Sequence, residues 1–193
     1  MDTPELLRED PEALGALLER DRSRLQRMIR LRLDRRLLRR VDVSDVIQEV
    51  HLDAARRIGE YVDGPAMPFY LWVRLLTSQK LIDLYRHHAG AGKRDVRREV
   101  SLAPFVEATS VALAEQLAGT LSTPSRAADR AEVRARVRDA LERLEPIDRE
   151  VLALRHFEQL GNDETAQALG IGVSAASKRY VRALKRLGEA LGK

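Results

Sequence analysis

Apolar residues recur at helical spacing through most of the chain. A 3.6-residue period runs from about Pro11 to Arg40, continues from Val43 to Ile58 and resumes from Phe69 to about His88. Between the last two runs, IGEYVDGPAMPF carries Gly59, Gly64, Pro65 and Pro68. Pro68 biases the residue before it out of the helical region, so the stretch predicts a loop between packed helices. Three or four helices then make a first unit, residues 1–90. From Ala89 the period is lost, and TLSTPSR (Thr120 to Arg126) is small and polar, which predicts a linker at residues 91–125. Within it, Val111 to Leu121 suits a short helix and a coil equally. The second unit, residues 126–193, opens with a stripe of Val133, Val137, Ala140, Leu141 and Leu144. Pro146 sits at the first turn of the next helix, which puts Ile147, Val151, Leu154 and Phe157 on one face and ends at Gly161 and Asn162. The pattern predicts an all-α chain of two small helical domains joined by a linker, without internal repeats.

The C-terminal pattern is more specific. Asp163 to Leu169 predicts a short helix, Gly170 to Val173 a turn, and Ser174 the start of a longer helix, which is a helix-turn-helix layout. Ser174 can cap that helix, and Gly170 and Gly172 permit a tight turn. Wound at ~100° per residue, Ala176, Tyr180, Ala183, Leu184 and Leu187 share a buried face. Ser174, Ser177, Lys178, Val181, Arg182 and Lys185 fall opposite. A major groove accepts such a strip, since arginine and lysine pair with guanine or phosphate, serine bonds either, and valine can touch a thymine methyl. Any amphipathic terminal helix has a cationic solvent face; the capped turn and the preceding short helix favour the DNA reading over that one.

Composition narrows the chemistry. Hydrophobic residues are 44% and aromatics 4%, which suits helices packed through aliphatic faces. There is no cysteine, so disulfides, thiolate zinc sites and cysteine nucleophiles are excluded, and a reducing cytoplasm is expected. The start, MDTPELLREDPEAL, lacks the basic-then-apolar pattern of an export signal, and no run approaches the ~20 apolar residues of a membrane span. The net charge is only +4, but it is unevenly placed. Ten arginines lie between Arg20 and Arg40 against Asp21 and Asp34, and six basic residues between Ser174 and Lys193 against Glu189 alone. Basic stripes on a balanced chain suggest a polyanion, with a solvated helix face as the plainer account of either one.

In the first unit, VDVSDVIQEVHLDAARRI sets Val43, Val46, Ile47, Val50 and Ala54 against Asp42, Asp45, Glu49 and Asp53. An acidic stripe cannot favour phosphate; it suits a basic protein partner, although by spacing alone an ordinary solvated face suffices. FYLWVRLLTSQKLIDLYRHH brings Phe69, Tyr70, Trp72 and Tyr85 close to Lys80, Arg86, His87 and His88. Aromatic faces among cations fit unpaired bases, and a core anchor accounts for Trp72 equally well. Enzymatic readings fail. The four histidines lack a carboxylate pair at metal-ligand spacing, and GAGKR has His87 and Arg94 where a phosphate-binding loop needs Gly and Ser or Thr. No catalytic residue, metal or cofactor is expected.

Taken in order, DVSDVIQEVHLDAARRI, the loop, FYLWVRLLTSQKLIDLYRHH and REVLALRHFEQLGNDETAQALGIGVSAASKRYVRALKRL resemble extracytoplasmic-function sigma factors of bacterial RNA polymerase. The resemblance covers most of the chain outside the linker. It implies a non-enzymatic cytoplasmic protein that binds core polymerase and places it on promoters. On this likeness, Asp42, Asp45, Gln48 and Glu49 match the segment that grips the clamp helices of the polymerase largest subunit. Tyr61, Phe69, Trp72, Gln79, Lys80, Asp83 and Arg86 fall on the segment that opens the −10 element and captures unstacked bases. Ser177, Lys178, Val181 and Arg182, with Ser174 and Lys185 on the same strip, fall on the helix that reads the −35 element as duplex. An anti-sigma factor is a further partner that the family admits. The chain departs from the family at Ser78 and Gln79, where Arg-Asn is frequent, and at Ser174, Ala175 and Ala176, where Gly-Thr-Val is frequent, so promoter sequence does not transfer. The main rival reading is a stand-alone helix-turn-helix regulator, and a second is an adaptor that binds polymerase without reading promoters.

Overall fold

The computed structural model describes residues 3–10, 12–33, 35–64, 66–90, 109–115 and 127–190, and among them all regular structure is helical. The chain divides into two compact units, Met1–Leu102 and Ala103–Lys193.

In the first unit, α1 (Thr3–Glu9), α2 (Ala13–Arg32), α3 (Arg35–Leu38), α4 (Val43–Asp63) and α5 (Phe69–Gly90) follow in order. The core is aliphatic. Leu25, Met28 and Ile29 of α2, Ile47, Val50 and Ala54 of α4, and Val73, Leu76 and Leu81 of α5 are all buried. The continuous helix predicted from Pro11 to Arg40 is interrupted. Leu33 leaves helical geometry for an extended conformation with φ −87° and ψ 131°, and its side chain is buried. The hydroxyl of Tyr85 on α5 donates to the carbonyl of Arg32 at 2.8 Å, satisfying one of the acceptors that a helix end leaves over. The break is therefore tertiary in origin, with no glycine or proline to announce it.

Helix α4 also outlasts its prediction, passing through Gly59 to end at Asp63. Gly59 is exposed and costs the helix about 1 kcal/mol relative to alanine, whereas burial of Tyr61 and Val62 beyond it is worth more. Helix α4 ends at Asp63 and α5 begins at Phe69, and Tyr61 belongs to the last turns of α4 rather than to a loop.

The second unit contains α6 (helical over 109–115), α7 (Ala127–Glu142), α8 (Pro146–Leu152, continued by a π-helical turn Ala153–Phe157), α9 (Asn162–Leu169) and α10 (Val173–Ala190). The segment predicted as linker thus holds a helix among its described residues, tied to α8 by a hydrogen bond from Arg149 to the Ser110 hydroxyl at 3.2 Å. Val137, Ala140 and Leu141 of α7, Leu144 just beyond it, Val151, Leu152 and Leu154 of α8, Ala166 of α9 and Ala176, Ala183 and Leu187 of α10 are all buried.

Helix α8 closes differently from expectation. The amide of Glu158 donates to Ala153 O and that of Leu160 to Leu154 O, both at 2.9 Å, and Gln159 takes the left-handed conformation at φ 59°. Gly161 is not the stop. It precedes α9 as the N-cap, its amide accepted by Glu164 Oε2 at 2.8 Å.

Candidate nucleic-acid and protein interfaces

The helix-turn-helix is built around Gly170. With φ 63° and ψ 32° it ends α9 in left-handed geometry that only glycine adopts without strain, and its amide returns to Ala166 O and Gln167 O. Asn162 Nδ2 donates to Val173 O at 2.9 Å, pinning the start of α9 to the start of α10. Ser174 does not act as the cap: α10 already begins at Val173, and Gly172 O accepts the Ala176 amide. The six residues of the predicted reading strip, Ser174, Ser177, Lys178, Val181, Arg182 and Lys185, are all exposed. Val181 is 62% accessible, an apolar residue kept in water in the middle of a cationic strip. Leu184, expected in the core, is also exposed, whereas Ala176, Ala183 and Leu187 are buried.

One acid organises the flank of this strip. Asp148, in the first turn of α8, is fully buried. Its Oδ1 accepts from Arg179 Nη1 at 2.8 Å, and Arg182 approaches side-on, Nε to Oδ2 at 3.2 Å and Nη2 to Oδ1 at 3.3 Å. Arg186 lies 3.7 Å away, and Arg179 also reaches Glu145 at 3.3 Å. Burial pushes the Asp148 carboxyl up, but hydrogen bonds and charge from Arg179 and Arg182 outweigh it and hold the group below its ordinary value. A depressed carboxyl stabilises the fold above its unfolded pKa, and that stability is lost as pH falls through the folded value. The acid-unfolding limb of the second unit, followed by circular dichroism, should therefore lie below the ordinary aspartate range, and Asp148→Asn should flatten it. Asp148 was missed in the sequence. The signal was present as Arg179, Arg182 and Arg186, a cation row bordering the buried face that needs a counter-acid nearby.

The acidic stripe of the first unit begins with Asp42, which caps α4 by accepting from the Ser44 amide at 2.8 Å. Asp42, Asp45, Gln48 and Glu49 are exposed over buried Val46, Ile47 and Val50. Leu52, 58% exposed, stands in the same surface beside Asp53. Glu49 forms an ion pair with Lys80 of α5, and Arg57 bonds Gln79 at 3.1 Å and Glu60 at 3.2 Å. The Glu49–Lys80 pair thus joins two groups of residues assigned to different partners.

The aromatic expectation is corrected in part. Tyr61, Phe69 and Trp72 are 4%, 3% and 7% exposed, with ring centroids 5.1 to 5.9 Å apart. They pack on one another, because a unit with so few large side chains uses them as its anchor, and in this conformation they offer no face to a base. Gln79, Asp83 and Arg86 are exposed on α5, Lys80 is half-buried, and Arg86 pairs with Asp83 at 3.3 Å. Tyr70 carries the Arg24 guanidinium over its ring at 3.5 Å. Burial and then Arg22 lower the pKa of His51 against an opposing pull from Glu19. Among the described residues no group of His, Asp and Glu is placed to hold a metal, and no helix is long and apolar enough to cross a membrane.

Comparison with known proteins bears on both units. Residues 134–187 match the family model described as Sigma-70, region 4. A stretch of 58 residues is 45% identical to the RNA polymerase sigma-E factors of Streptomyces antibioticus and Streptomyces coelicolor, covering 30% of this chain. The chain spans about a third of the length of those relatives. Over 95% of the chain and 85% of the relative, it is 26% identical to the ECF RNA polymerase sigma factor SigK of Mycobacterium sp. strain KMS. Among solved structures it is similar in fold to CnrH, determined in complex with the cytosolic domain of CnrY, with a TM-score of 0.54 and 24% identity over 97% of this chain and 93% of that one.

Proposed function

From the premise that this chain is a sigma-70 family protein of the extracytoplasmic-function type, we propose that it binds core RNA polymerase and directs it to specific promoters to start transcription. The observation that carries the reading is the exposed strip of α10, set by a Gly170 turn inside the region 4 match. Ser174, Ser177, Lys178, Val181 and Lys185 would contact the −35 duplex, with Arg182 at the edge of the strip. Asp42, Asp45, Gln48 and Glu49 would meet basic residues of the polymerase clamp helices, where an acidic exposed stripe gains from charge complementarity. Gln79, Lys80, Asp83 and Arg86 would border the melted −10 strand, and Tyr61, Phe69 and Trp72, buried against one another, would reach it only on rearrangement.

The domain boundaries go with this reading: residues 1–90 for polymerase and −10 contact, 91–125 as connection and 126–193 for −35 contact. The chain would perform no catalysis, since polymerase carries out nucleotidyl transfer and the sigma factor supplies location through binding energy. Its place would be the cytoplasm, where polymerase acts. CnrH was solved with a protein partner, and an anti-sigma factor that competes with polymerase is proposed for this chain on the same footing.

The test is reconstitution. Full-length chain mixed with core polymerase and sheared genomic DNA of its source should yield transcripts with defined starts that core alone does not give. Absence of any complex with core at low salt would overturn the reading. Sequence-specific duplex binding without core, and no transcripts with it, would establish the stand-alone regulator instead.

A further inference from the structure

The geometry points to Asp148 as a positioning residue: it holds Arg182 side-on so that the outer edge of the guanidinium is presented, pre-oriented, to one guanine of the duplex. The inference rests on the proposed DNA contact of α10 and adds to it a residue from another helix.

A guanidinium carries five N–H donors in a rigid planar fork. In this chain Arg182 spends Nε–H and one Nη2–H on the two oxygens of Asp148, at 3.2 and 3.3 Å. That bidentate side-on pair fixes the plane and leaves the Nη1 and remaining Nη2 hydrogens, the edge that matches guanine O6 and N7. The geometry of Asp148 is itself fixed. It is fully buried in the first turn of α8, and Arg179 and Arg186 of α10 approach the same carboxylate from positions three residues before and four after Arg182. Arg182 keeps 45% of its side chain accessible while paired. A purely structural ion pair has no need of that exposure, and a freely solvated reader would have no need of Asp148. Holding a long side chain in its bound conformation removes part of the ordering cost of binding, so the pair sharpens discrimination as well as packing. Two exposed neighbours on the strip, Lys178 and Val181, have no such support among the described residues and suit phosphate and methyl contact, where orientation matters less.

The experiment uses the full chain assembled with core polymerase and a pool of random-sequence DNA duplexes with constant ends, sequenced before and after capture. The natural chain should enrich a motif containing a guanine. Asp148→Asn, which keeps shape and removes charge, should lose about tenfold discrimination at that single base pair while its affinity for the unselected pool changes less than about threefold. Arg182→Lys should show the same loss at the same position, because an ammonium cannot bond an acid side-on and a guanine end-on together, and the double variant should add nothing further. Unfolding lowers all affinities together and cannot remove one position from a motif. An unaltered motif with Asp148→Asn or with Arg182→Lys would overturn the inference while leaving DNA binding intact. Failure of the natural chain to enrich any sequence would overturn the DNA reading itself, and this inference with it. Should Asp148→Asn not fold, an unaltered motif with Arg182→Lys or Arg182→Gln still overturns the inference, and Asp148→Glu, which keeps the charge but moves the carboxylate by one methylene, takes the place of Asp148→Asn as its positive test.

Discussion

Trp72→Ala is expected to destabilise the first unit by about 3–5 kcal/mol, as large aromatic deletions in cores do. The side chain is 7% exposed and packs on Tyr61 at 5.1 Å and Phe69 at 5.9 Å, so its removal leaves a cavity lined by two other rings. An exposed stacking residue at the same position would cost no more than about 0.5 kcal/mol, which makes the variant a direct discriminator. Trp72 is the only tryptophan, so its loss removes the fluorescence probe, and unfolding should be followed by far-ultraviolet circular dichroism in urea. The transition of the first unit should move to lower urea while that of the second unit stays. Trp72→Phe should restore well over half of the loss. An unmoved transition would show that the ring is not part of the core. The outcome also bears on strand opening: a buried ring can stack on an unpaired base only if the α4–α5 packing around it rearranges.

What could be read without coordinates divides by the range of the forces involved. Local chemistry was legible: Gly170 in the turn, Pro146 at the start of α8, and the exposure of Ser177, Lys178, Val181 and Lys185 follow from spacing and backbone preference, which act within a few residues. Tertiary overrides were not. The end of α2 at Arg32 depends on a hydroxyl 53 positions away, and the passage of α4 through Gly59 depends on what Tyr61 packs against. Gln159 in left-handed geometry replaced the glycine stop expected at Gly161, since the buried Leu160 anchors that turn from its far side. The site divides likewise. The acidic and cationic strips were visible as periodicities of one kind of charge, but the Glu49–Lys80 pair and the Asp148 centre each join separate helices and leave no spacing to count.

The joint reversal of Asp45 and Glu49 to lysine is expected to lower affinity for core polymerase by about two to three orders of magnitude, roughly 3–4 kcal/mol, with less than about 1 kcal/mol of folding stability lost. Both residues are exposed on α4, and reversal turns attraction toward a basic partner into repulsion at two points. The effect on folding is small because Glu49 and Lys80 form a surface pair, the side chains 52% and 36% accessible, and such pairs contribute little. Asp42 is best left alone: it caps α4, and replacing it confuses binding with about 1 kcal/mol of helix stability. Anisotropy of a labelled chain titrated with core polymerase measures the loss, and repeating it at higher salt should narrow the gap between natural and reversed chains, as screening weakens exposed charges. Exchange of the pair, Glu49→Lys with Lys80→Glu, separates the two roles of Glu49. It restores the internal attraction between α4 and α5 while keeping the reversed charge at position 49, so core binding should stay impaired. Recovery on exchange would mean that Glu49 acts by holding α5 in place, and the contact with polymerase would then rest on Asp45 and its neighbours Gln48 and Leu52.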